Sequence, residues 1–317
     1  MLFRSRVGAL AEVSAELAAL VAALQPRHSR VDLREGGRDM LARYDQVAAS
    51  EDKVRGMGFG LPEVDAHTRG IWPGEIAIVV APPKAGKSWL ANWVALQEWQ
   101  RGRVAGLWTL ENSIEMTQLR LACIALKLSY EDLQDGTLPD SEYKLLHEWV
   151  HDVLAESDVP LHILHPDQEQ RTPHAIVQQA RGLDVQSLII DQLTFVEPSR
   201  DKRNQTRAYE VRDILHDLAA SVSTGRDPLS CLLTHQVKRD GIKEAEKTGR
   251  LAMDSGADSS EVERTASWVF GLWASEHQQA LHQTSLQTLA TRRGKPRDWD
   301  LHWDVGVGLI QTIGDAA

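Results

Sequence analysis

Apolar and β-branched residues fall in short blocks along most of this chain, and the blocks alternate with stretches of helical periodicity. The first block, Ile76-Ala77-Ile78-Val79-Val80-Ala81, reads as a buried parallel strand. A tight loop follows it, and Trp89 to Gln100 has the spacing of a helix. Val104 to Leu110 then predicts a strand and Ser113 to Leu128 a helix. Asp140 to Ala155 predicts another helix, Leu161 to His165 a short strand, and Pro173 to Arg181 a helix. Ser187 to Leu193, Ala208 to Ser221 and Leu229 to Gln236 continue as strand, helix and strand. Three strand-like runs close the chain: Ser267 to Ala274, Ser285 to Thr291 and Leu301 to Gln311. This order predicts an α/β fold, with a mainly parallel central sheet extended by antiparallel strands.

The beginning of the chain has a different texture. Residues 8–25 read as an amphipathic helix rich in Ala and Leu, ended by Pro26. A second helix is predicted from Arg38 to Ala49. Residues 1–55 are therefore taken as a helical arm or linker and 56–317 as one large domain. The arm is too small for a strong core of its own. It either docks on a neighbouring subunit or packs on its own domain. Gly58, Gly60, Gly70 and Gly74 mark 56–75 as a turn-rich lead-in to the first strand.

Composition changes this picture little. The 317 residues are 42% hydrophobic and 25% charged, ordinary for a soluble protein. The two cysteines, Cys123 and Cys231, both sit in apolar segments and suit a reducing cytosol. Glu12 and Glu16 interrupt the apolar stretch from Leu10 to Leu24, so no signal peptide is expected. No apolar run is long enough to span a membrane. A net charge of −10 argues against a broadly basic surface but leaves room for local positive loops. Ten tryptophans are present, and Trp89, Trp93, Trp108, Trp268 and Trp273 are assigned mostly to the core.

The loop after the first strand carries the chemistry. Ala81-Pro82-Pro83-Lys84-Ala85-Gly86-Lys87-Ser88 nearly matches G-x-x-x-x-G-K-[ST], with Ala81 at the first glycine position. In such a loop, backbone N–H groups and the helix N-terminus, including Trp89, face phosphates. Lys87 would reach the terminal phosphates of ATP and the Ser88 hydroxyl would take Mg²⁺. Leu188-Ile189-Ile190-Asp191 reads as a Walker B strand, whose acid can also hold Mg²⁺. Gln192 follows it, so another carboxylate must polarise the water. Glu111, at the end of the second strand, is the candidate, unless it only caps the next helix. Gln236, in Thr234-His235-Gln236, ends a strand at the same edge and could sense the γ-phosphate.

Two basic stretches leave that edge. The first, 197–207, holds Arg200, Lys202, Arg203 and Arg207. The second, 237–250, is read as a loop holding Lys238, Arg239, Lys243, Lys247 and Arg250. Both suit the backbone of single-stranded DNA, and both lack aromatics for base stacking. Arg292-Arg293-Gly294-Lys295 ends a late strand and reads either as an arginine finger or as a basic turn. His147-Glu148-Trp149-Val150-His151 matches H-E-x-x-H, but lies on a surface-patterned helix and is set aside as a zinc site.

Together these residues resemble the C-terminal ATPase domain of DnaB-type replicative helicases, a RecA-like P-loop family, over roughly Gly56 to Leu309. The lead-in from Gly58 to Asp65 is similar to the family's segment before its P-loop. Thr109-Leu110-Glu111-Asn112 resembles its Ser-Leu-Glu-Met motif, which implies that Glu111 is the catalytic base. Ile190-Asp191-Gln192-Leu193 resembles its Walker B, and Thr291-Arg292-Arg293-Gly294 its Lys-x-Arg-x-Gly finger. Ala290 replaces the finger's Lys, so Arg292 carries over and Arg293 is its alternative. The resemblance implies a compact, phage-like or mobile-element helicase in a bacterial cytoplasm. It would be a homo-oligomeric ring, expected to be a hexamer, moving on single-stranded DNA with ATP between subunits. The stretch before the domain is shorter than the family's primase-contacting region, which leaves replication partners open. The rival readings are a RecA-like recombination ATPase and a protein-remodelling ATPase.

Overall fold

The computed structural model describes residues 32–50, 53–199, 207–225, 227–237, 239–252 and 257–314. The chain divides into two units, 1–50 and 51–317. The helix predicted over 8–25 lies outside the described residues.

In the first unit, α1 spans Leu33–Ala49. It starts five residues before the predicted Arg38 because Asp32 caps it, accepting the Arg34 N–H at 2.9 Å. Gly36 and Gly37 dilute the helical signal of that first turn, which hid it in the sequence. Leu33, Met40, Leu41 and Tyr44 are exposed on α1.

The second unit is built on a nine-stranded sheet in the order β3-β2-β4-β5-β1-β6-β7-β8-β9. The strands are β1 (Ile76–Ala81), β2 (Ala105–Thr109), β3 (Leu161–Leu164), β4 (Ser187–Asp191) and β5 (Ser230–Gln236), then β6 (Trp268–Trp273), β7 (Gln283–Thr291), β8 (Trp299–Asp304) and β9 (Leu309–Thr312). Strands β1 to β6 pair in parallel. β7, β8 and β9 add as antiparallel strands. The predicted mixed sheet is observed. The single strand expected over 301–311 is instead the β8–β9 hairpin. Gly308 turns it at a φ of 62°, against the backbone of Ile124 and Cys123, where no Cβ would fit.

Every residue of β1, β2 and β4 is buried, because helices cover both faces. The period of two in β1 sorts its side chains. Ala77, Val79 and Ala81 join Leu90, Ala91 and Val94 of α3 (Lys87–Gln100). Ile76, Ile78 and Val80 pack instead with Ile176 and Val177 of α7 (Pro173–Gly182) and with Ile214 and Leu218 of α8 (Arg207–Ser223). Between them in sequence lie α4 (Ile114–Leu126), α5 (Tyr130–Asp135) and α6 (Asp140–Glu148). The helix predicted to run on to Ala155 changes at Trp149 into a π-helical turn through Leu154. Among the described residues, no helix is long and apolar enough to cross a membrane.

The lead-in is more ordered than its glycines suggest. α2 spans Pro62–Thr68, with Pro62 in its first turn. Asp65 on α2 accepts the N–H groups of Phe59 (2.6 Å) and Gly60 (2.9 Å). Glu98, fully buried on α3, anchors the same stretch. It accepts from the Gly58 N–H (2.8 Å) and the Ser187 hydroxyl (2.5 Å), and pairs with Arg101 (2.6 Å) and Arg103 (2.8 Å). A buried carboxylate is tolerated here because several donors meet it. The clamp joins the lead-in, α3 and the start of β4.

The basic stretch 237–250, read above as a loop, is mostly a helix, α9 (Arg239–Thr248). Three further helices were missed, the short α5, α10 (Ala257–Thr265) and the short α11 (Glu276–Ala280). All three have polar compositions, so no apolar periodicity announced them.

Candidate nucleotide site

The C-terminal ends of the parallel strands meet at one edge of the sheet. Thr109 of β2 is in register with Asp191 of β4, and Ala81 of β1 with Gln236 of β5. This is the edge at which open α/β sheets bind ligands. The predicted site residues Lys87, Asp191, Glu111 and Gln236 all arrive there through the same topology.

Backbone geometry shapes the loop from Pro82 to Gly86. Lys84 and Gly86 adopt positive φ values of 62° and 93°. Gly86 caps α3 in this left-handed conformation. A Cβ on it would lie 2.7 Å from the indole of Trp303. Two independent constraints therefore require glycine: the φ and the ring. Lys87 and Ser88 open α3, so the free N–H groups and positive end of its dipole face the site.

The electrostatics tie three elements together. Lys87 is almost fully buried and makes no ion pair among the described residues. Burial lowers its pKa, while Glu111 and Asp191 act in the opposite direction. Asp191 is also buried. Its Oδ1 accepts the Thr234 hydroxyl at 2.7 Å, and its Oδ2 has no hydrogen-bond partner among the described residues. Glu111 stands just beyond β2, exposed at the mouth of the site. Its pKa is raised, first by desolvation and then by Asp191, against Lys87 and Arg120. Ser113 is the residue that caps α4, with its hydroxyl accepting the Met116 N–H at 3.1 Å. Glu111 is thus free of the capping role that was its alternative.

Beside the P-loop, a cavity of about 1040 Å³ opens toward β6 and the β8 turn. Pro82, Lys84, Trp273, His282 and Trp303 contribute to its walls. It continues from the phosphate end of the site and is large enough for a nucleoside.

The structure separates Arg292 from Arg293. Arg293 is bound within its own unit. It pairs with Glu75 at 2.8 Å, donates to the Gly70 carbonyl at 2.9 Å, and lies 4.3 Å from the centroid of the Trp72 ring. The Arg292 side chain is exposed. Its backbone N–H meets the Ser267 carbonyl (3.0 Å), and the Ser267 N–H meets the carbonyl of Ile76 at the start of β1 (2.8 Å). Arg292 therefore lies at the sheet edge opposite the P-loop. The six residues from Ile76 to Ala81 put about 17 Å between those edges.

The DNA candidates are less fully placed. Arg200, Lys202, Arg203 and Lys238 lie outside the described residues. Arg207 and Arg239 are the first residues of α8 and α9, and Lys243 is exposed on α9. The His147 and His151 rings are 4.2 Å apart. Among the described residues no group of three or more potential ligands is arranged for a metal ion. Sequence reasoning missed Trp303, near the end of β8. It also missed Arg120, nine residues past Glu111 on another element, because no local spacing marks either.

A P-loop between β1 and α3, an acid at the end of β4 and a further carboxylate after β2 define a RecA-like nucleotide-binding domain. The profile of the family described as DnaB-like helicase C terminal domain matches residues 56–308, and the chain belongs to that family. A Chlamydia psittaci protein described as a probable plasmid replicative DNA helicase is 24% identical over 238 residues. That match covers 71% of this chain and 48% of the relative, so the chain spans about half the relative's length. Among solved structures, one described as an ATPase domain superposes with a TM-score of 0.74 at 16% identity, covering 88% of this chain and 99% of that one. A DnaB-like replicative helicase, described with its interactions with primase, gives 0.72 at 16% identity, covering 95% and 71%. These structural likenesses establish the fold.

Proposed function

We propose that this domain is the motor of a ring-forming helicase that hydrolyses ATP and moves along single-stranded DNA. The observation that carries this reading is the convergence of Lys87, Asp191 and Glu111, with the free carboxylate placed after β2 rather than beside Asp191.

In this reading, the N–H groups from Pro82 to Trp89 and the Lys87 ammonium hold the phosphates. Ser88 and Asp191 would hold Mg²⁺. The unpartnered, buried Oδ2 of Asp191 and the hard oxygen donors fit such an ion. When bound, it neutralises charge on the phosphates. Glu111 takes a proton from the attacking water, and its raised pKa brings it closer to the working pH of a general base. Gln236, in register with the last residue of β1, senses the terminal phosphate. Arg292 cannot reach across its own sheet, so it acts on a nucleotide held by a neighbouring copy. Such a head-to-tail contact closes into a ring, here a hexamer, and Arg200, Lys202, Arg203, Arg207, Lys238, Arg239 and Lys243 supply the positive charge for the DNA backbone. The exposed apolar residues of α1 supply the arm that docks on the next copy. The setting is the cytoplasm of a bacterial host, where Cys123 and Cys231, both free and buried, stay reduced. Contacts with primase or other replication proteins belong to the same reading.

The test is ATP hydrolysis with and without single-stranded DNA, wild type beside Glu111→Gln, followed by strand separation. DNA stimulation abolished by the substitution supports the motor. Hydrolysis indifferent to DNA favours the protein-remodelling alternative. Stimulation without strand separation favours a recombination-type ATPase.

A further inference from the structure

The chain leaves β4 at Asp191 and enters α8 at Arg207, the last cation of the basic stretch 197–207. The side chains of α8 divide by helical period. Val211, Ile214, Leu215, Leu218 and Val222 are buried and pack with β1. Tyr209 falls on the opposite side and is 51% exposed. Further along that side, His216 meets Glu261 of α10 at 3.3 Å. α10 therefore reaches this face at His216, while Tyr209 stays open to solvent.

The Tyr209 ring is also held in place. The guanidinium carbon of Arg212 lies 4.9 Å from its centroid. Arg212 follows at i+3, where side chains on a helix meet. Its Nε and Nη2 both donate to Oδ1 of Asp213, at 3.3 and 3.1 Å. A cation fixed over one face restrains the ring and leaves the other face free. An aromatic ordered in advance gives up less conformational freedom when it binds. Neither basic stretch contains an aromatic, but Tyr209 stands just past the end of the first. Cations beside an ordered ring are the pairing that holds single-stranded nucleic acid: charge tracks the backbone, and the ring stacks on a base.

We propose that Tyr209 is a base-stacking platform for single-stranded DNA. Its open face takes one base, and Arg212 backs the ring. The contact tolerates any sequence, because every base has a π-face. It adds affinity without adding charge. It also favours a strand with exposed bases over a duplex, whose bases are already stacked on one another.

This inference rests on the DNA-motor reading, and the experiment separates the two. Binding by the full chain, with a non-hydrolysable ATP analogue present, is measured by fluorescence anisotropy. The probes are a labelled oligothymidylate and an abasic oligonucleotide of the same length. The variants are Tyr209→Ala, Tyr209→Phe and Tyr209→Gln, each with a thermal melt and a size-exclusion run. Tyr209→Ala is expected to weaken oligothymidylate binding by about 5- to 100-fold, the loss of one stacked base. On the abasic strand it should change affinity by less than about twofold, since only phosphate contacts remain. Its salt dependence should keep the wild-type slope, because no cation is removed. Tyr209→Phe should bind within about twofold of wild type, because the ring is kept.

Equal losses on both strands would overturn the proposal, since Tyr209 would then act on the backbone or through the fold. So would a loss in Tyr209→Phe as large as in Tyr209→Ala, which would assign the contact to the hydroxyl. A Tyr209→Ala oligomer smaller than wild type would overturn it by placing the ring between copies. Unchanged binding in Tyr209→Ala would overturn it and leave the motor reading intact. A wild-type chain that binds neither strand would overturn both. If Tyr209→Ala melts early, Tyr209→Gln decides by the same comparison.

Discussion

The Thr234 hydroxyl donates a 2.7 Å hydrogen bond to Oδ1 of Asp191, and the second oxygen of that buried carboxylate has no hydrogen-bond partner among the described residues. The strand next to the Walker B strand thus fixes one lone-pair direction and leaves the other for a cation. Thr234→Val should cost about 1–3 kcal/mol of stability, because it strands a buried acceptor. Thermal melting without nucleotide measures that loss. The same variant should need more Mg²⁺ for half-maximal nucleotide binding, since the freed carboxylate can rotate away.

Lys87 is a buried cation whose pKa is lowered by desolvation. In the nucleotide-free protein its charge therefore costs stability at neutral pH. Lys87→Met should raise the melting temperature and weaken ATP binding by about 100-fold or more. Gly86→Ala should do the reverse for stability, because the new methyl group meets both a φ of 93° and the Trp303 ring. A melt and a binding titration on each variant separate the two effects.

Arg292 and Arg293 should part company. Arg293→Ala breaks a half-buried pair with Glu75 and uncovers Trp72, so it should lower stability by about 1–3 kcal/mol. Arg292→Ala should melt like wild type and hydrolyse ATP poorly. Mixing Arg292→Ala with Glu111→Gln should restore part of the lost activity. An intact site can then form from the P-loop of one copy and the arginine of the other. No recovery on mixing, with mixed oligomers verified, would argue that Arg292 does not act across subunits.

Asp65 makes the fold sensitive to acid in an unusual direction. Burial pushes its carboxyl up to about 6 from 3.8, even though the N–H groups of Phe59 and Gly60 and the charge of Arg101 favour the ionised form. Between those two values the folded chain holds the proton that the unfolded chain releases. Stability attributable to this group therefore falls as pH rises from 3.8 to about 6. Asp65→Asn should remove that slope. Melting temperatures of both proteins at pH 4 and pH 7 check it: the wild type should lose ground to the variant as pH rises.

By itself, the sequence determined the parallel core, the P-loop, Asp191, Glu111 and the antiparallel end. Each is written locally, as an apolar run, a glycine at a forced φ or a polar residue where a strand stops. The tertiary structure alone decided what depends on residues far apart in the chain. Gly308 against the 123–124 backbone divided one predicted strand into two, and a glycine-rich lead-in became a helix because Asp65 could fold back onto Phe59 and Gly60. Arg293 and Arg292 are adjacent and alike in sequence. Only the packing of Trp72 and Glu75, more than two hundred residues earlier, engages one and leaves the other exposed. Arg120 and Trp303 likewise have no local signature, since their partners come from other elements. Periodicity records which face of an element is buried, whereas the identity of the neighbour across that face is set by how the elements pack.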